Sequence, residues 1–182
     1  VVVSGHQVAA SVSTVLFMMP LSLAMAITIR VGNLAGQKNF AQMKTAIFTS
    51  FMLAIGISGI VASITFMGRE YISEIFSEDP HVILLASSIL ILACFYQLPD
   101  ALQVAANGVL RGLKHTKPIS YITFFSYWVI GFSLGYVLAI TDLIVEPMGP
   151  HGFWLGIIVG LTVAAILLIA AVVKRLKNEI YN

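Results

Sequence analysis

The sequence contains few charged residues and a single cysteine. Charged residues make up 10% of its 182 positions, whereas soluble domains contain about 25%. A water-soluble fold of this length could not bury a hydrophobic fraction of 59%, because small domains leave much of their surface exposed. The lone Cys94 excludes an internal disulfide and a multi-cysteine zinc site. The net charge of +2 is too small to indicate a nucleic-acid partner, so the lipid bilayer is the predicted environment.

The sequence also lacks an initiator methionine and a signal peptide. It begins with three valines, and no charged segment precedes a short apolar stretch and a cleavage site. We therefore expect the chain to be the C-terminal part of a longer polypeptide.

No apolar stretch alternates with period two, so a lipid-facing β-barrel is not predicted. Five stretches are instead long enough to cross about 30 Å of hydrocarbon, which takes roughly 20 helical residues. Helices satisfy their own backbone hydrogen bonds in lipid, and the sequence therefore predicts an all-α, polytopic membrane helix bundle. The predicted spans are approximately residues 8–29, 45–67, 82–110, 118–140 and 152–173.

The charged residues between these spans predict the orientation. Nine of the ten Lys and Arg residues fall on one side, in the first loop, the third loop and the C-terminal tail. By the positive-inside rule this side is cytoplasmic. We therefore expect the C-terminus in the cytoplasm and Val1 outside, carried there by an odd number of preceding spans.

One acidic residue, Asp100, lies inside a predicted span. A carboxylate in hydrocarbon costs about 2.5 kcal/mol or more, so it usually faces a cavity or partner and marks an ion or proton path. Tyr96, Asp100, Gln103 and Asn107 share one helix face by their spacing, and Gln97 flanks it. Such a polar face predicts an aqueous or substrate-lined surface, with Gln97, Gln103 and Asn107 as the candidate cavity-lining residues. Polar residues in spans can also simply join helices by hydrogen bonds, and this alternative stays open above all for Gln103 and Asn107.

Two prolines lie inside the predicted spans. Pro99 cannot donate to the carbonyl of Phe95, so it should kink the helix beside Asp100, and Pro20 should bend the first span. Oxygens of Asp100, Tyr96, an amide and this freed carbonyl could bind Na+. Asp100 could instead carry a proton, because burial favours the neutral form of a carboxyl group. The residues leave both ions open.

Several other features have structural interpretations. Asp79-Pro80 predicts a helix start, and Gly149-Pro150 predicts an external turn. Lone His6 is interpreted as an interfacial residue at the outer end of the first span. Glycines with small-xxx-small spacing predict close helix packing; they are Gly131, Gly135, Gly152, Gly156 and Gly160. An aromatic cluster around Tyr127 is interpreted mainly as lipid contact or core, with some ring faces open to a flat cationic ligand.

Three groups of motifs carry a family resemblance. The sequence is similar to multidrug and toxic compound extrusion (MATE) transporters, most of all to their NorM-like branch, over essentially the whole chain. The motifs that resemble the eighth helix of these transporters and the loop after it are Gly5-His6-Gln7-Val8-Ala9, Met19-Pro20-Leu21-Ser22 and Ile29-Arg30-Val31-Gly32. The motifs that resemble their tenth helix are Gln97-Leu98-Pro99-Asp100-Ala101-Leu102-Gln103 and Gly108-Val109-Leu110-Arg111-Gly112. The motifs that resemble the start of their twelfth helix are Gly149-Pro150-His151-Gly152 and Trp154 with Gly156.

The resemblance implies helices 8–12 of a twelve-helix, two-lobed antiporter in the plasma membrane, which is the inner membrane of bacteria. The N-terminal lobe and the seventh helix, which supplies a further glutamate to the ion site, would then be missing. It also implies efflux of cationic or polyaromatic drugs in exchange for Na+ or H+, with Asp100 and Tyr96 in the cation site. No cofactor is expected beyond the coupling ion.

Three other functions make different demands on the sequence. A lipid-linked saccharide flippase of the same superfamily should have cationic residues within its spans, and no Lys or Arg lies in a predicted span core. An intramembrane enzyme needs paired catalytic groups at one depth, and His6 and Asp100 are not expected to meet, so an enzyme is not predicted. A non-transporting membrane assembly subunit predicts no loss of function when Asp100 is neutralised.

Overall fold

The structure is a computed structural model, which describes the backbone of residues 2–143 and 145–181 and the side chains of 3–143 and 145–178. Over these residues the chain is helical and contains no β-strand. The elements are α1 (Val2–Gly36), α2 (Phe40–Phe76), α3 (Pro80–Gly112), α4 (Lys117–Phe124), a π-helical segment (Phe125–Phe132), α5 (Ser133–Ile140) and α6 (Pro150–Tyr181).

Five helices of the described chain are long and apolar enough to cross a membrane, as predicted. The fourth is the continuous run Lys117–Ile140, which joins α4, the π-helical segment and α5. The other helices extend beyond the predicted spans at one or both ends. Hydropathy locates only the part that fits the hydrocarbon, whereas helical hydrogen bonding continues until a residue leaves the helical backbone conformation.

The predicted start of α3 is confirmed, and the turn predicted before the last span lies at Gly149, with α6 already beginning at Pro150. Asp79 caps α3, because its carboxylate accepts a hydrogen bond from the backbone N–H of His81 at 2.9 Å. Gly149 has a φ of 57° and directly precedes Pro150, where α6 begins. A left-handed φ is readily adopted by glycine, so the turn before α6 follows from the sequence.

Two loops at the basic end of the bundle share one backbone arrangement. Lys38 after α1 and Lys114 after α3 both have a φ of 55°. The next residues, Asn39 and His115, donate their N–H groups to carbonyls five positions back at 3.0 and 2.8 Å. This is the Schellman ending of a helix, in which the left-handed position is usually glycine. Each loop therefore turns the chain tightly with a lysine at its strained position.

Helix α3 lies at the centre and packs against α1, α2 and α6. Its closest approach is to α1, where a Cβ placed on Gly108 would lie 2.7 Å from the carbonyl oxygen of Ala24. The hydroxyl of Thr28 donates to the carbonyl of Gly108 at 3.1 Å across the same contact. Small residues therefore bring two backbones together, as is common between membrane helices.

The predicted close packing of the later glycines is also confirmed. A Cβ on Gly160 of α6 would lie 2.9 Å from the carbonyl oxygen of Ser126, and one on Gly131 would lie 3.2 Å from that of Gly156. The π-helical turn occurs at this contact and was not predicted. π-Helical hydrogen bonding leaves no mark on hydropathy, and such bulges are frequent at functional sites.

Candidate functional site

Asp100 lies in the middle of α3 and is 7% exposed. It lines a cavity between α1, α2 and α3, hereafter the Asp100 cavity, together with Tyr96 and Gln97 of α3, Ser58 of α2 and Pro20 of α1. The other lining side chains are apolar. Three helices thus surround one carboxyl group inside the bundle.

The Asp100 cavity has a volume of about 20 Å³. A single water molecule needs about 10–15 Å³ of such space, whereas pockets for drug-sized molecules measure about 300–1,000 Å³. The cavity can therefore admit a water molecule or a small monovalent cation, and it is too small for a drug.

The carboxyl group of Asp100 forms no ion pair and no side-chain hydrogen bond with any described residue. An isolated charge is strongly disfavoured in a low-dielectric interior. A buried acid without a positive partner therefore either holds a proton or is balanced by a bound cation. In both cases the charge of Asp100 is neutralised by a proton or a cation that the protein binds from its surroundings.

Gln97 lines the same cavity as Asp100 and carries a second side-chain oxygen. Its amide nitrogen donates to the hydroxyl of Thr65 on α2 at 3.4 Å, which orients the amide group. Its carbonyl oxygen is buried and has no hydrogen-bond partner. Buried acceptors are rarely left unpaired, so this oxygen is available to a water molecule or a cation in the cavity.

Tyr96 connects the cavity to the end of the bundle at which α1 and α6 begin. Its ring packs on Trp154 of α6 at a centroid distance of 5.9 Å. The indole N–H of Trp154 in turn donates to Nδ1 of His6 on α1 at 3.2 Å. His6 is thus a helix-joining residue in the described chain, and its side chain does not reach Asp100.

The predicted polar face of α3 divides between two sets of neighbours. Asp100 and Tyr96 line the cavity beside α1 and α2, and Tyr96 also packs on α6, whereas Gln103 accepts a hydrogen bond from the Tyr127 hydroxyl of the π-helical segment at 2.6 Å. Asn107 is half-buried, and its side-chain oxygen has no hydrogen-bond partner. Of the three residues predicted to line a cavity, Gln97 lines the Asp100 cavity, and Gln103 and Asn107 do not.

Both prolines lie within continuous helices. Pro20 lines the Asp100 cavity, and Pro99 directly precedes Asp100 in α3. Each removes one backbone hydrogen bond from its helix. The kinks that we expect at these prolines stay predictions.

Sequence reasoning did not single out Ser58 and Thr65 of α2. Ser58 lines the cavity and Thr65 holds the amide of Gln97. Both hydroxyls also donate to carbonyls of their own helix, at 3.0 and 2.8 Å, as serine and threonine commonly do in membrane helices. Nothing in the sequence distinguishes them from the other hydroxyl residues of the spans.

A protein-family model, MatE, matches residues 1–137 of this chain. The chain belongs to the MATE family. Members of this family are membrane transporters.

Solved structures agree with the family. The chain is similar to the crystal structure of the eukaryotic MATE transporter AtDTX14, with 29% identity and a TM-score of 0.87, over 97% of this chain and 40% of that one. Its fold also matches two multidrug resistance MATE family transporters of the MOP superfamily at 20% identity. The inward-facing one has a TM-score of 0.84 over 96% of this chain and 39% of that one. The outward-facing one has a TM-score of 0.87 over 99% and 40%.

The chain therefore spans about 40% of the length of the transporters that it matches.

Proposed function

We propose that this chain is the ion-coupling lobe of a secondary active multidrug transporter, which expels cationic or polyaromatic drugs in exchange for Na+ or H+. The observation that carries the proposal is Asp100. Its carboxyl group is buried among three helices, lacks an ion-pair partner among the described residues, and lines a cavity of ion size. Intramembrane acids of this kind are typical of ion and proton pathways.

The bound ion would be held mainly by oxygen atoms of α3. The Asp100 carboxylate supplies the charge, and the carbonyl oxygen of Gln97 supplies an acceptor that has no other partner. Tyr96 and Ser58 line the same cavity and can complete an oxygen shell. If the ion is a proton, the protonated Asp100 becomes a hydrogen-bond donor, and the same acceptors can receive that bond.

Coupling requires that the ion has different affinities for two conformations of the transporter. The Asp100 cavity is formed by three separate helices, so a relative shift of α1, α2 and α3 would move Ser58 and the apolar walls away from or toward the ligands of α3 and change the space left for the ion. In this conformation the cavity does not hold a drug molecule, because its volume is about 20 Å³.

We also propose that the chain corresponds to helices 8–12 of a twelve-helix transporter in the plasma membrane, with its C-terminus in the cytoplasm. The three basic segments at one end of the bundle support this orientation. Reporter fusions in the α1–α2 and α2–α3 loops should give cytoplasmic and external signals respectively. The opposite pattern would contradict the orientation.

The test of function is Asp100→Asn in the full-length protein, measured as ethidium efflux from membrane vesicles. Sodium and pH gradients are imposed separately, so that the active gradient identifies the ion. We expect Asp100→Asn to abolish gradient-driven efflux at unchanged expression, since an amide can neither release a proton nor balance a cation. The matched control is Asp142→Asn, which makes the same chemical change at an exposed loop position and should leave efflux unchanged.

Normal efflux in Asp100→Asn would contradict the assignment of the coupling site. An absence of efflux in the unmodified protein under both gradients would favour the non-transporting assembly subunit. Transport of a lipid-linked saccharide without drug efflux would favour the flippase.

A further inference from the structure

A crevice opens at the basic end of the bundle, between the start of α4 and the last turns of α6. It has a volume of about 340 Å³, which is within the range of small-ligand sites. Six residues line it: His115, Pro118, Ala171, Lys174, Arg175 and Asn178. It lies at the opposite end of α3 from the contact between His6 and Trp154, and it shares no lining residue with the Asp100 cavity.

The lining groups of this crevice suit an anion. Lys174 and Arg175 supply an ammonium and a guanidinium group, and His115 and Asn178 add neutral or cationic N–H donors. No acidic side chain lines the crevice among the residues whose side chains the structure describes. Ammonium and guanidinium groups together are the side chains that proteins use to bind phosphate.

The backbone fixes one wall of the crevice. His115 follows the left-handed Lys114, and its N–H donates to the carbonyl of Leu110 at 2.8 Å. Pro118 then opens α4 with a restricted φ. The wall that carries His115 is therefore held by the end of α3 and does not depend on a long, loose loop.

The position of the crevice indicates that its ligand carries acyl chains. The apolar run of α6 ends at Val173, which is 47% exposed, and Lys174 follows immediately. On the other wall Tyr121 lies one helical turn beyond Pro118 and is 76% exposed. Cations thus lie at the level where the apolar surface ends, which is the level of lipid phosphates.

We propose that this crevice binds the phosphate headgroup of an anionic phospholipid, with its acyl chains along the exposed apolar surfaces of α4 and α6. The positive-inside rule requires only that basic residues lie on this side of the membrane. It does not require Lys174, Arg175 and His115 to line one crevice between two helices. Basic pockets between membrane helices on the cytoplasmic side are known to bind anionic headgroups.

The test uses the full-length protein in neutral detergent, titrated with dioctanoyl phosphatidylglycerol, dioctanoyl phosphatidylcholine or inorganic phosphate. Binding is measured by native mass spectrometry and by the shift of the thermal unfolding midpoint. We expect saturable binding and a higher midpoint with phosphatidylglycerol only. Lys174→Gln should weaken this binding about fivefold, the factor expected for loss of one basic residue near a lipid phosphate.

Lys44→Gln is the matched control, because it removes the same charge on the same side without touching the crevice. It should leave the affinity unchanged, and Lys174→Arg should restore it. If Lys174→Gln does not fold, His115→Gln serves as the second variant at the opposite wall. Equal losses in the lysine and control variants, equal binding of phosphatidylcholine, or equal binding of inorganic phosphate would each overturn the proposal.

Discussion

Replacing Gly108 by alanine is expected to force α1 away from α3. The new Cβ would lie 2.7 Å from the carbonyl oxygen of Ala24, 3.2 Å from its Cα and 3.2 Å from Cβ of Ile27. Two of these atoms are backbone, so no side-chain rotation can relieve the contact. The same displacement would stretch the hydrogen bond from Thr28 to the Gly108 carbonyl.

The size of the effect follows from two opposing contributions. Carbon–oxygen contacts normally lie at about 3.3–3.6 Å, so the helices must separate locally by about 0.6 Å or more. Overpacking of this kind costs about 1–3 kcal/mol. Alanine is a better helix former than glycine by up to about 1 kcal/mol, which offsets part of the loss.

A matched control removes the helix-propensity contribution. Gly56 lies in the interior of α2, and a Cβ there meets no atom within 4 Å. Gly56→Ala should therefore gain the propensity without the clash, and the two variants should differ by about 1–3 kcal/mol. The assay is unfolding in neutral detergent, followed by the loss of a monodisperse elution peak. Equal stability of the two variants would refute the close approach of α1 and α3.

Two further predictions concern single interactions. Tyr127→Phe should destabilise the protein by about 1–2 kcal/mol, since it leaves the buried acceptor of Gln103 without its donor. The double variant with Gln103→Leu should recover part of this loss in the same unfolding assay. Unchanged stability of Tyr127→Phe would contradict the hydrogen bond. Lys38→Gly should raise stability by about 0.5–1 kcal/mol, because glycine adopts the left-handed conformation at this helix end more readily. Lys117→Gly inside the first turn of α4 should instead lower the stability. If both lysine-to-glycine variants raised the stability, or both lowered it, the explanation would be contradicted.

Much of the fold could be predicted from the sequence, because hydropathy reports directly on the solvent of each segment. Five runs of about 20 apolar residues leave only a helical solution in lipid. Asp79-Pro80 predicted a helix start through local capping and proline geometry, and Gly149-Pro150 predicted the turn before α6. The lone acid Asp100 was conspicuous because a carboxylate is so costly in hydrocarbon. The residues of these motifs also carried the resemblance to the family.

Only the tertiary structure decided what surrounds Asp100. Both Gln97 and Gln103 were predicted to line a cavity, yet only Gln97 lines the Asp100 cavity, whereas Gln103 pairs with Tyr127. Periodicity defines which side chains share a face of α3. It does not define which neighbouring helix each of these side chains contacts. The contribution of Thr65 on α2 likewise depends on how two helices approach, which is set by packing between distant segments and not by local sequence.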